Sequence, residues 1–395
     1  MNSFPIRRAR GFSLIELMIS IVIGLLALMF ATRLLATSEQ NKQAALGGSD
    51  SMQNGMVAMF SISGDAAQAG WGLNDPLIVG CNTVFEDEEG FALATATRGA
   101  TTITPLAPAV IESNGENPDR ITLYSGSSAG GTATLRLVTD YDSGNQILVD
   151  RVPYGFDRGD VILVAPETLG AADCSLAQVS NETDDLPSPP AQQFLMIESG
   201  GAFRFNTGDL GADYTGSQSR LFNLGPAGQL SFHTWSVANG FLQLRSTDLE
   251  GSGSAPAPVA DNIVSIKAQY GFDTRPAASF DPESGLTVSR WSPTMIDADG
   301  NGVIGSAGDY QRVAALRVAV VARARAPERA PAGGECTATP QRPVLFAVDG
   351  PAGVDAVPMT VNVAVANDAV PWQCYRYRVF ENIVPLRNAA WRPTA

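Results

Sequence analysis

Residues 7–35 read RRARGFSLIELMISIVIGLLALMFATRLL, and this stretch decides the architecture. Three arginines and a glycine lead into 20 residues, Phe12 to Ala31, whose only charge is Glu16. Twenty helical residues rise about 30 Å, enough to cross a hydrocarbon core. A membrane-spanning helix over 12–35 is therefore expected. Arg7, Arg8 and Arg10 favour a cytoplasmic N-terminus, which sends everything after the run across the membrane. A secretory signal peptide fits worse. Its apolar region runs about 7–15 residues and leads to a small-residue cleavage site, whereas here a polar stretch, Ser38 to Lys42, follows. Glu16 is the awkward residue, because a carboxylate at membrane depth costs about 2.5–3.5 kcal/mol on insertion scales. Either it reaches the headgroups of a plain anchor, or it has a partner.

Composition describes what lies beyond the anchor. The chain of 395 residues carries a formal charge of −14, which becomes −17 once the three arginines of segment 1–11 are removed. Such an acidic surface disfavours nucleic acid, whose binding needs phosphate-neutralising Lys and Arg. With 17% charged and 45% hydrophobic residues, the body is expected to fold. Cys81, Cys174, Cys336 and Cys374 suggest two disulfides in a translocated body. Three connectivities are open, and the sequential one, Cys81–Cys174 with Cys336–Cys374, is the simplest. No CxxC or Cys/His spacing points to zinc or thiol chemistry.

The pattern along the chain gives three blocks. One long helix is expected from Phe12 to about Gln68, its second part (36–70) continuing beyond the membrane, with Met52, Met56, Met59, Phe60 and Ser63 at helical spacing. Gly47-Gly48 and Gly55 predict a kink or break, since a mid-helix glycine costs roughly 0.5–1 kcal/mol. Gly70-Trp71-Gly72 and Asn74-Asp75-Pro76 end the helical signal. Residues 77–250 hold short β-type runs: Arg120–Tyr124, Thr134–Val138, Gln146–Val149, Val161–Ala165 and Phe194–Glu198. The Gly/Ser/Ala/Pro segment 251–258 reads as an internal linker. In 259–395, Ile263–Tyr270 alternates as a half-buried strand, Ala314–Val321 reads as a central one, and Val361–Val365 and Tyr375–Phe380 are further strands.

Gly11-Phe12-Ser13-Leu14-Ile15-Glu16 resembles the processing site of type IV pilins and pseudopilins: a short basic leader, a glycine, a phenylalanine, and a glutamate five positions into the mature chain. NIVSIKAQYGFD (262–273), LRVAVVAR (316–323) and YRYRVFENIVPLRN (375–388) are similar to stretches of PilW-type minor pilins and of the related J-type pseudopilins of type II secretion. The resemblance implies an α+β, pilin-like fold: a long N-terminal helix, transmembrane in its first half, packed on an extended antiparallel β body stapled by disulfides. It implies cleavage by a prepilin peptidase between Gly11 and Phe12, and N-methylation of Phe12. It further implies insertion in the inner membrane, then residence in a pilus with other minor pilins and the major pilin. Glu16 would then pair with the freed amine of a neighbouring Phe12, fixing an axial stagger between helices. The chain is longer than J-type pseudopilins usually are, which favours the PilW type.

One constellation suits a cation. Asp297-Ala298-Asp299-Gly300-Asn301-Gly302-Val303 places oxygen ligands at positions 1, 3 and 5, glycine at 6 and a carbonyl at 7 of an EF-hand-like loop. Position 12 is Gly308 rather than glutamate, and Asp309 comes one residue late. Calcium held by Asp297, Asp299, Asn301, Val303 and Asp309 is one reading; an acidic turn between strands is the other. No cofactor is otherwise required. His233, the only histidine, reads as a packed strand residue, so a Ser-His-Asp or Cys-His enzyme lacks support. Glu86-Asp87-Glu88-Glu89 reads as a solvated loop, Asn181-Glu182-Thr183 as an incidental sequon, and Gly130-Gly131 as no phosphate loop. The leading expectation is a structural minor pilin that helps initiate a pilus used for attachment and twitching. A type II secretion pseudopilin is the first alternative, and a membrane-anchored enzyme or binding protein the second.

Overall fold

The computed structural model describes residues 13–127, 134–183, 193–328, 330 and 333–390. Helix α1 runs Leu14–Gln68. The chain divides into two compact units, Met1–Asp50 and Ser51–Ala395, with the division inside α1. In the first unit, Leu14–Ala36 has a mean hydropathy of 2.6 and no buried residue. Residues 47–55 are helical throughout, so the glycines do not interrupt the element. The helix stops where expected: Gly70 and Gly72 take φ of 84° and 70°, which L-residues avoid.

In the second unit, almost all strand pairing is antiparallel. A four-stranded sheet has the order Arg290–Ser292, Ile263–Phe272, Val313–Arg323, Tyr377–Pro385. A five-stranded sheet has the order Ala257–Asp261, Phe241–Ser246, Ser231–Ala238, Arg120–Ser125, Ala109–Glu112. Its central hairpin turns on Asn239-Gly240, both at positive φ (52° and 80°), as a two-residue hairpin requires. A six-stranded sheet built around Asp160–Pro166 contains one parallel pair, Cys81–Val84 with Cys174–Gln178. Cys81 is bonded to Cys174 and Cys336 to Cys374, the sequential pairing.

The Ser51–Gln68 part of α1 packs on this body through small residues. Ala58, Ile62 and Ala66, spaced by four, share one core with Ile121, Leu123, Trp235, Ile266 and Leu316. Gly55 lies so close to the ring of Phe380 that a Cβ would overlap it. A stripe of alanine and glycine lets the backbone approach the sheet, which offsets the propensity cost of Gly55. Of the bulky residues at helical spacing, Met59 packs against this core, while Met52, Met56 and Phe60 face away with Val57 and are exposed, Phe60 at 81%.

Four expectations need correction. Segment 251–258 is not a linker. Ser252 is buried, and Ala257–Asp261 is an edge strand of the five-stranded sheet. Blocks 77–250 and 259–395 therefore lie within one unit, since both feed the core that α1 packs against. Ile263–Phe272 is buried at every position rather than on one face. Two of its polar residues find partners for their donors inside: Lys267 pairs with Asp119 and donates to the carbonyls of Gly115 and Asn117 at 2.8 and 3.1 Å, while Gln269 donates to the carbonyl of Val357 at 2.7 Å. Buried polar partners thus produce the same alternation that solvent would. Val361–Val365 is not a strand. Val361 and Val363 are core residues on an irregular segment, whose Asn362 N–H donates to the carbonyl of Glu116 instead of to a ladder.

Candidate functional site

Three places bear on function. The first is the head of α1. Gly11 and Phe12 lie outside the described residues, as do the leader 1–11 and Gly130-Gly131. Glu16 sits in the first turn of α1 and is exposed, where the helix dipole favours a negative charge. Every large apolar side chain from Leu14 to Leu35 is at least half exposed. The Glu16 carboxylate therefore stands on a helix surface that the chain itself leaves uncovered.

The second place is the acidic loop. Carboxylate oxygens of Asp297, Asp299 and Asp309 lie within 4.8 Å of one another, so the sequence grouped them correctly. Their duties differ. Asp309 is fully buried and accepts four backbone N–H groups: from Ala298 at 2.6 Å and Asp299 at 3.1 Å on Oδ1, and from Gly305 at 2.8 Å and Ser306 at 3.1 Å on Oδ2. It also closes a capping box with Ser306 on the short helix α2, Ala307–Tyr310. Burial, the largest influence, and the neighbouring Asp299 hold its carboxyl above the usual range against those bonds. Asp309 is thus the brace behind the loop. Asp299 accepts from the Asn301 backbone at 3.0 Å, the Asn301 side chain at 2.9 Å and Ser306 Oγ at 3.1 Å. Asp297 accepts from Gly302 at 3.0 Å. The Val303 carbonyl accepts from Ser306 at 3.3 Å. Gly308 stands where an EF-hand has its glutamate, and a Cβ there would strike the Asp299 carboxylate.

The third place was not legible as a cluster in the sequence. His233 Nδ1 lies 2.7 Å from Asp65 Oδ2, and Nε2 lies 2.9 Å from Asp248 Oδ1 and 3.0 Å from Ser231 Oγ. Trp235 Nε1 donates to the same Asp65 oxygen at 2.8 Å. Ser231, His233 and Asp65 alone would have the spacing of a hydrolase triad. Asp248 changes the chemistry. With a carboxylate against each ring nitrogen, both nitrogens donate, and no lone pair remains to take a proton from serine. Burial opposes charging the ring, but the bonds to Asp248 and Asp65 outweigh it, and His233 is pushed up to about 9. The group is an imidazolium at neutral pH, not a general base.

The surrounding acidic features are structural. Asp87, within the acidic run 86–89, pairs with Arg204, one contact being Arg204 Nη2 to Oδ2 at 2.7 Å. Asn181 of the sequon accepts from the backbone of Met196 at 2.7 Å, and Thr183 is buried.

An exposed apolar N-terminal helix joined to a mostly antiparallel, doubly disulfide-stapled β body defines an α+β, pilin-like protein. Residues 6–32 match the family model of the prokaryotic N-terminal methylation motif, and residues 234–388 match that of the type IV pilus-assembly protein W. No curated protein and no solved structure matches the chain. The two matches together support a type IV pilus minor pilin of the PilW type. The same matches support a pilin-like part in pilus assembly, and with the apolar helix they suggest a membrane-anchored component that meets other pilus components.

Proposed function

We propose that this chain is cut between Gly11 and Phe12 by a prepilin peptidase, methylated on Phe12, and built into a type IV pilus as a structural, non-catalytic subunit. The observation that carries the reading is the uncovered apolar surface of α1: none of Leu14–Ala36 is buried. The only acid in that surface, Glu16, supplies the address. A carboxylate in an apolar setting seeks a cation, and the amine freed at Phe12 of a neighbouring subunit is one. Before assembly the helix anchors the chain in the inner membrane, with the N-terminus cytoplasmic and the body periplasmic. In the filament it packs with the major pilin and other minor pilins, helping to initiate polymerisation and so supporting attachment and twitching.

Glu16→Val tests this. The variant is expected to insert in the membrane normally and to be lost from sheared pili; normal incorporation would overturn the pairing. A variant chain found instead in a secretion apparatus, in cells whose pili are unaffected, would move the protein to the pseudopilin class. For the acidic loop the corresponding proposal is calcium on Asp297, Asp299 and Asn301, with Asp309 as brace. Support comes from the carboxylate cluster and the oxygen spacing. A thermal midpoint lowered by chelator and restored by calcium supports it, and coincident melts remove it.

A further inference from the structure

His233 is gripped from two elements at once. Asp65 belongs to the last turn of α1, and Asp248 follows the strand Phe241–Ser246. A carboxylate in the last turn of a helix is disfavoured by the helix dipole, and that turn contains no basic residue of its own. Asp65 therefore depends on donors from the sheet, which His233 and Trp235 supply. A neutral imidazole has one N–H and one lone pair, so in this geometry a neutral ring would turn its lone pair onto a carboxylate. We propose that His233 is a charge-dependent joint that fastens the C-terminal end of α1 to the β body, closed while the ring is protonated and loosened when it loses its proton.

The surroundings leave the charge to these groups. The register partners of His233 on the adjacent strands are Leu123 and Ser246, which carry none. Among the described residues, the titratable groups facing the ring are Asp65 from α1 and Asp248 from the turn. The sign of the pH dependence follows. A ring raised from its ordinary 6.5 to about 9 contributes its full stabilisation below about 6.5 and loses it as pH rises through about 9. Over that window the contribution falls by on the order of a hundredfold in the closing equilibrium. On the acid side, burial would raise Asp248, but the bonds from His233 and Ser246 hold it below the usual carboxylate range. Its share of the joint is lost only as pH falls through that lowered value. The joint is independent of the pilus reading, because it concerns how the body holds its own helix.

A single histidine makes the test direct. The full chain, without a histidine tag, is titrated in detergent micelles and the ring followed by its Cε1–H resonance. A midpoint near 9 that drops by a unit or more in Asp65→Asn is the expected result. A wild-type midpoint at or below 6.5 would overturn the proposal, and so would a midpoint indifferent to Asp65→Asn. If that variant does not fold, Asp248→Asn, at the partly exposed turn, is read in its place by the same criterion. Amide exchange supplies the mechanical readout. At pH 7.5, His233→Gln should expose residues 57–68 faster than wild type, and unchanged protection there would show that the joint holds nothing.

Discussion

Leu14–Ala36 and Ser51–Gln68 both belong to α1, yet they treat their apolar surface in opposite ways. The first buries none of it, and its bulky residues point outward on all sides. The second turns small residues, Gly55, Ala58 and Ala66, toward its own sheet and keeps Met52, Met56 and Phe60 outside. Apart from Ile62 and Met59, which join the core, side-chain size separates the two. Small residues mark where the helix meets its own body, because close approach needs missing Cβ and Cγ atoms. Large residues mark surface that other molecules, lipid or protein, must cover.

That comparison can be broken by substitution. The largest expected effect is at the buried stripe: Ile62→Ala should destabilise the body by about 2–5 kcal/mol, read from denaturant unfolding of the chain in detergent. A cost under 1 kcal/mol would mean the stripe is not a core. The two glycines give a matched pair. Gly55→Val drives a side chain into Phe380 and should cost about 1–3 kcal/mol. Gly24→Val has nothing within 4 Å and should leave unfolding of the body unchanged. Equal effects at both positions would erase the difference between the two parts of α1. The smallest effect on the isolated chain is expected at the outer stripe. Phe60→Ala should change its stability by no more than about 0.5 kcal/mol, while reducing recovery in sheared pili. A large loss of stability without a loss of recovery would place Phe60 inside the body instead.

Much of this was legible in the sequence, for physical reasons that also explain what was not. A long apolar run, a basic leader and four cysteines are strong local signals, and Gln146–Val149 was readable to the residue as a strand. Helical periodicity, however, gives weight to large apolar residues. It therefore picked out Met52, Met56, Met59 and Phe60, of which only Met59 packs on the core, and passed over Ala58 and Ala66. A Gly/Ser/Pro-rich stretch has the composition of a linker, and 251–258 is nonetheless a turn anchored by the buried Ser252 and Gly253 that leads into an edge strand. In the acidic loop the ligand-like residues were found, but Asp309's role as a brace depends on four amides that no motif specifies. The His233 cluster had no local signal at all, since Asp65 lies 168 residues away.

Assembly through α1 depends on one event at its head, where Gly11 and Phe12 precede the exposed Glu16. Intact mass combined with N-terminal sequencing of the protein purified from membranes reads that event directly. The expected result is a mature chain that begins at N-methylated Phe12, shorter by residues 1–11. A chain that still begins at Met1 in cells assembling pili would contradict it.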